Sequence, residues 1–190
     1  MDWQDALIDL TIAENANLGG IFFLASDENL RMQLKQPWIV IGTDADGWSP
    51  DSTHGEIVHP RTYGTYPRLL GQLSRDEGLM PLEEVIRKST SAVAARLGIQ
   101  DRGLLREGMK ADIVVFDPAT VADRATYTNP HVIAEGVDEV IVNGVEVVAS
   151  GRVTGEKPGT IVSRSDDGEG RGRRRGLGPR ADEGRGRGGY

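Results

Sequence analysis

The sequence predicts an α/β protein in two parts, with helices and buried strands alternating over residues 1–100 and a small β unit over 101–162, followed by a disordered tail at 163–190. Three observations carry this reading. Two short apolar runs without polar alternation, Ile21 to Leu24 and Trp38 to Thr43, flank a helical segment, the order of a parallel sheet whose strands are covered on both faces. From Gly103 onward the chain turns rich in β-branched residues around an Asn143-Gly144 pair, a strong hairpin signal. From Ser163 onward, nine glycines and eight arginines in 28 residues leave almost nothing to bury.

The elements follow in order. Trp3, Leu7 and Leu10 recur at helical spacing and predict a first helix, with Gly19-Gly20 closing the region. Ser26-Asp27 supplies an N-cap for a helix over Glu28 to Lys35. Pro37 resets the chain, and Trp38-Ile39-Val40-Ile41-Gly42-Thr43 reads as a fully buried strand. The stretch from Asp44 to His59 is a loop of a length that is usually functional or disordered. Pro67 is expected to start a helix through Leu69, Leu73 and Arg75, and Pro81 another with Val85 and Ile86 facing inward. Ser91 to Leu97 makes a short helix closed by Gly98. Ala111 to Asp117 is a strand stopped by Pro118, Val137 to Val142 and Val145 to Val148 form the hairpin, and Ser150-Gly151-Arg152 turns toward a last strand near Thr160 to Val162.

Composition excludes several classes of function. No run approaches the roughly 18 apolar residues of a membrane span, and the N-terminus lacks a basic signal region, so no membrane association and a cytoplasmic location are expected. With the tail's surplus of three positive charges set aside, residues 1–162 carry −10, which disfavours nucleic-acid binding. Zero cysteines exclude disulfides and thiolate metal sites, and the three histidines, His54, His59 and His131, are a poor set for a self-sufficient zinc centre. Phosphate loops, dinucleotide fingerprints and serine-hydrolase elbows are absent from the sequence. Asp44-Ala45-Asp46-Gly47 begins like a calcium loop, but Trp48 and Gly55 stand where that loop needs its fifth and twelfth ligands.

Asp44 is the candidate catalytic residue. It directly follows a predicted strand, the position from which a parallel barrel aims side chains into its active site, and a carboxylate there can move a proton between water and a leaving amine. The same four residues also make good turn chemistry, and both readings are open on residue type alone. Arg61, after His59-Pro60, can grip a substrate carboxylate through two parallel hydrogen bonds, or serve in an ordinary ion pair.

Four stretches together resemble one family: Trp38 to Asp44, the run His59-Pro60-Arg61-Thr62-Tyr63-Gly64-Thr65-Tyr66-Pro67-Arg68-Leu69-Leu70-Gly71, then Arg102 to Asp117, and Val140-Ile141-Val142-Asn143-Gly144. From about Asp2 to Val162 the chain resembles the C-terminal portion of the N-acyl-D-amino-acid deacylases, or D-aminoacylases, of the amidohydrolase superfamily. The resemblance implies the C-terminal part of an incomplete (β/α)8 barrel over 1–100, followed by a small β-sandwich portion. It implies that Asp44 is the catalytic aspartate after the eighth barrel strand, that Arg61 binds the substrate's carboxylate, and that Tyr63 lines the same pocket. Zinc is the implied cofactor, with histidine and cysteine ligands on earlier barrel strands that have no counterpart in these 190 residues. The implied substrate is a small N-acyl-D-amino acid, hydrolysed at its amide. A closed barrel needs about 200 residues or more, so the isolated chain is expected to be inactive unless an N-terminal chain complements it. Two alternatives stand beside this: a cyclic-amide hydrolase of the dihydroorotase or hydantoinase kind, and a non-catalytic remnant or partner subunit.

Overall fold

The computed structural model describes residues 2–19, 25–48 and 58–164. The expected strand at Ile21 to Leu24, His54 and nearly all of the Gly/Arg tail lie outside the described residues.

Among the described residues, five α-helices precede a single sheet. Helix α1, Trp3–Ala13, is capped by Asp2 and buries none of its residues. Helix α2, Asp27–Leu34, starts where the Ser26 hydroxyl accepts the Asn29 N–H at 3.2 Å, with Asp27 and Glu28 in the first turn opposite the positive end of the helix dipole. Helix α3, Arg61–Arg68, runs on as a π-helical stretch, Leu69–Asp76, and helices α4, Leu82–Ser89, and α5, Ser91–Leu97, follow. Gly98, at φ 73°, ends α5 in the left-handed conformation that a side chain resists. A small core of Leu34, Ile41, Leu69, Leu73, Met80 and Val85 joins α2, the π stretch and α4.

Two helix expectations are corrected here. Pro67 does not start a helix; it sits inside one that begins at Arg61. Proline lacks the N–H that would reach back to Tyr63, yet the helix continues past it, the Leu69 N–H reaching the Thr65 carbonyl, before the wider register in which the Glu77 N–H donates to the Gln72 carbonyl at 3.0 Å. Ile86 is half-exposed rather than inward, whereas Val85 is fully buried.

The predicted strand at Trp38 to Thr43 is the larger correction. Residues 39–48 run without regular structure, and among the described residues no strand pairs with them. A parallel strand takes its hydrogen bonds from neighbouring strands. Side chains of α4 and α5 take their place: Arg87 donates to the Pro37 carbonyl at 3.0 Å, Arg96 to the Trp38 carbonyl at 3.1 Å, and Lys88 to the carbonyls of Leu34 and of Gln36, the latter at 2.6 Å. The Ile41 N–H donates to the Lys88 carbonyl at 3.3 Å, and Ile41 is buried. The run is thus not covered on both faces as expected: Ile41 is buried but Trp38 is 62% exposed, and cations hold the carbonyls at and just before its start where a ladder would hold a strand.

The sheet is antiparallel, in the order β1-β2-β3-β4: Ile113–Phe116, Val137–Val142, Val145–Ala149 and Arg152–Val153. Asn143 at φ 49° and Gly144 at φ 80° form the two-residue turn between β2 and β3, and Ser150 and Gly151 repeat it between β3 and β4. The last strand is consequently Arg152–Val153, not Thr160 to Val162; a two-residue turn returns the chain into register at once, and Ile161 is left 96% exposed. Asp112, just before β1, accepts the Asn143 N–H at 2.8 Å and an Arg102 hydrogen bond, while Arg102 reaches the Asn143 side chain at 2.5 Å.

The sheet region meets the helices where backbones nearly touch. A side chain on Gly71 would lie 2.3 Å from the Val121 carbonyl oxygen, and one on Gly64 2.3 Å from the Asp123 carboxylate. Arg75 ties the same contact, donating to the Val121 carbonyl at 2.8 Å, and Val121 is wholly buried. This docking fixes α3, whose first residue is Arg61.

Candidate active site

Asp44 leaves the apolar segment in the left-handed conformation, φ 49°, which aspartate tolerates better than most residues and which often marks functional positions. Its Oδ2 lies 3.0 Å from Nη2 of Arg61. The two residues border one open concavity of about 230 Å³, together with Asp46, Trp48, His59 and Thr62. The cavity is small, polar and open to solvent, and the Asp44 side chain is 91% exposed. Two of the candidate residues, seventeen positions apart in sequence, thus meet in space.

His59 organises the entry into α3. Its Nδ1 accepts the Arg61 N–H at 3.0 Å, a free donor of the helix N-terminus, and its ring meets Tyr127 edge-on with centroids 5.2 Å apart. Accepting at Nδ1 requires a neutral ring protonated on Nε2. Burial, aided by the nearby Arg61 charge, pushes the imidazole below its ordinary range, which favours that form.

Tyr63 does not border this concavity. Its hydroxyl lies 3.3 Å from Nδ1 of His131, ring centroids 6.0 Å apart, and burial holds the phenol above its ordinary range. His59 with Tyr127 and Tyr63 with His131 form two ring contacts between the start of α3 and the segment at 127–131. Sequence reasoning saw no such pairing, because nothing in the spacing of these four residues relates them. Lys88 was equally invisible as a charge with no exposed surface.

Among the described residues no group of three or more His, Cys, Asp or Glu could hold a metal ion. Asp44, Asp46 and His59 share a cavity wall without converging as a ligand set. A second, larger groove of about 760 Å³ lies between α3, α4 and β1, bordered by Tyr66, Ile86, Leu104, Leu105 and Val114. It is mainly apolar and holds none of the candidate residues. Size therefore points away from the chemistry, and charge and convergence point to the smaller cavity.

The model of the Amidohydrolase family matches residues 11–148. The chain belongs to the amidohydrolase family. Within it, the chain is similar to a D-aminoacylase of Alcaligenes xylosoxydans xylosoxydans, 42% identical over 147 residues, which make up 77% of this chain and 29% of that protein. An N-acyl-D-aspartate deacylase of the same organism is 35% identical over 158 residues, 83% of this chain and 30% of the relative. The solved structure of an N-acyl-D-glutamate deacylase from Bordetella bronchiseptica, complexed with zinc and a phosphonate inhibitor that mimics the tetrahedral intermediate of the reaction, superposes with a TM-score of 0.58 at 36% identity. It covers 67% of this amidohydrolase chain and 27% of the neighbour. The chain thus spans less than a third of the length of the curated relatives it matches.

Proposed function

We propose that this amidohydrolase chain is the portion of an N-acyl-D-amino-acid deacylase that supplies the proton-transferring carboxylate, Asp44, and the carboxylate-binding arginine, Arg61. The observation that carries the reading is their convergence at 3.0 Å on one solvent-open cavity. Similarity to D-aminoacylase and to the aspartate and glutamate deacylases supports the substrate class, a small linear N-acyl-D-amino acid, over a cyclic amide. In this reading Asp44 accepts a proton from the attacking water and returns it to the departing amine, and Arg61 holds the α-carboxylate so that the amide carbon faces Asp44. Tyr63, anchored on His131, holds the start of α3 from behind.

Zinc, present in the Bordetella neighbour, does not fit the donors found among the described residues, so its ligands in our reading come from elsewhere in a complete enzyme. Residues 1–100 are then the last part of a (β/α)8 barrel, 101–162 part of a small β-sandwich and 163–190 an appended tail, and a complementing N-terminal portion is the expected partner. No helix among the described residues is long and apolar enough to cross a membrane, and we place the protein in the cytoplasm.

The test is a chimera in which residues 2–162 replace the matching part of the Alcaligenes D-aminoacylase. We expect zinc-dependent release of acetate from an N-acetyl-D-amino acid, no turnover of a hydantoin ring, and a loss of about 10²-fold or more in kcat with Asp44→Asn. An active chimera indifferent to Asp44→Asn would overturn the assignment.

A further inference from the structure

We propose that Arg61 passes between two carboxylates, holding Asp44 in the free protein and the ligand's own acid group in the bound one, so that the ligand acid frees the Asp44 base. The inference rests on the proposed role of Arg61 as the carboxylate binder and adds a reason for requiring an acid in the ligand.

The geometry carries it. Arg61 Nη2 is already engaged by Asp44 Oδ2 at 3.0 Å, and Asp44 has no other ion pair among the described residues. A guanidinium edge fits one carboxylate at a time through parallel hydrogen bonds. A second carboxylate docking on the same group comes within a few ångströms of Asp44, and two such anions repel. The residue that gives way is Asp44. Its side chain is 91% exposed, so it turns off Arg61 within the open cavity with little change in solvation, whereas Arg61 is 42% exposed and starts from the first turn of α3, where His59 holds its backbone N–H. The backbone at φ 49° anchors the Cα while the carboxylate rotates away. The cavity, at about 230 Å³, has room for the head of an amino acid but little more. A neutral amide without an acid group has nothing to exchange for Asp44 and leaves the base paired. Selection of acylated amino acids over simple amides then arises from release of the base as well as from binding.

The test is an NMR titration of the full chain with acetate, acetamide serving as the neutral probe, read at the side-chain N–H of Arg61 and the carboxyl carbon of Asp44. In the wild type we expect acetate, and not acetamide, to move both signals together. Asp44→Asn should tighten acetate by about two- to five-fold, the range of an exposed ion pair; asparagine tolerates the left-handed backbone as aspartate does, so the fold is retained. Asp46→Asn removes the same charge from the same cavity without touching the pair, and should tighten acetate by less. Equal tightening by both variants, or none by Asp44→Asn, overturns the exchange while leaving Arg61 a carboxylate binder. Acetate that perturbs Arg61 in no form overturns that underlying reading as well.

Discussion

The ammonium of Lys88 lies 2.6 Å from the carbonyl oxygen of Gln36, with no part of the lysine exposed. The same group reaches the Leu34 carbonyl, so one cation closes the C-terminal end of α2 and begins the segment that leads to Asp44. Burial pulls the ammonium below the ordinary lysine range, opposed by Glu84 on the previous turn of α4. Lys88→Met keeps the aliphatic stem and takes its donor from the Leu34 carbonyl, while the Gln36 carbonyl keeps the Ile39 N–H at 3.2 Å. It should lower stability by about 1–3 kcal/mol, the cost of one buried group left unsatisfied. Urea unfolding measures this; an unchanged midpoint would show that water reaches the Leu34 oxygen.

Glycines 64 and 71 predict an ordering of effects. Alanine favours a helix over glycine by about 1 kcal/mol, so on an open helix both substitutions would stabilise. Here Gly71→Ala meets the Val121 backbone, which cannot step aside, and Gly64→Ala meets the Asp123 side chain, which can, at the loss of its bond to the Ala125 N–H at 2.9 Å. Both should destabilise, Gly71→Ala by about 2–3 kcal/mol and Gly64→Ala by less. A reversed order in thermal unfolding would mean that the helix does not pack on 121–123 as described.

The pH dependence of α3 follows from His59. Its folded-state affinity for protons is below the ordinary value near 6.5, so the neutral ring stabilises the fold above that pH. As the pH falls from about 6.5 the unfolded chain takes up its proton first, and the contribution is lost through the lowered folded-state range. Imidazole resonances should show His59 titrating below 6.5, and Arg61→Gln should bring it part of the way back up, since Arg61 is the smaller cause after burial. Titration at the ordinary value would remove the bond from His59 to the Arg61 N–H.

Asp112 predicts an acid limit for the hairpin. Burial raises its proton affinity, but the Asn143 N–H and Arg102 outweigh burial and hold the carboxyl below its usual 3.8. The stabilisation is present above that pH and is lost as the pH falls through the lowered value. Asp112→Asn should weaken the fold by about 1 kcal/mol at neutral pH, a figure reduced for partial exposure, and the difference from wild type should vanish in strong acid. A difference that persists there would point to packing instead of charge.

What was legible in the sequence was local. Ser26 as a cap, Gly98 as a stop and Asn143-Gly144 as a turn act on their own neighbours, and each appears where its chemistry placed it. The stretches Arg102 to Asp117 and Val140 to Gly144 lie apart in sequence, and only the structure shows that Asp112 and Asn143 bond to each other. For Trp38 to Thr43 an apolar run gives neither the hydrogen-bond partner nor the depth of burial: Ile41 is buried, Trp38 is exposed, and no strand lies beside them among the described residues. Pro67 favours a helix start by its fixed φ, but the helix begins six residues earlier at Arg61 and carries the one missing N–H near its end. For the candidate site, residue type singled out Asp44 and Arg61, but that they meet, and that Tyr63 turns to His131, depends on how the segments at 38–48, 58–76 and 121–131 dock.

Helix α1 buries none of its eleven residues and leaves Trp3, Ile8, Leu10 and Ile12 largely exposed. Segments of that length with no buried face sit near the point where chain entropy cancels helix formation, about 12–15 residues for good formers. Heating should therefore unwind α1 gradually and early, as a slope in the far-ultraviolet dichroism ahead of the cooperative step, with Trp3 fluorescence characteristic of water from the outset.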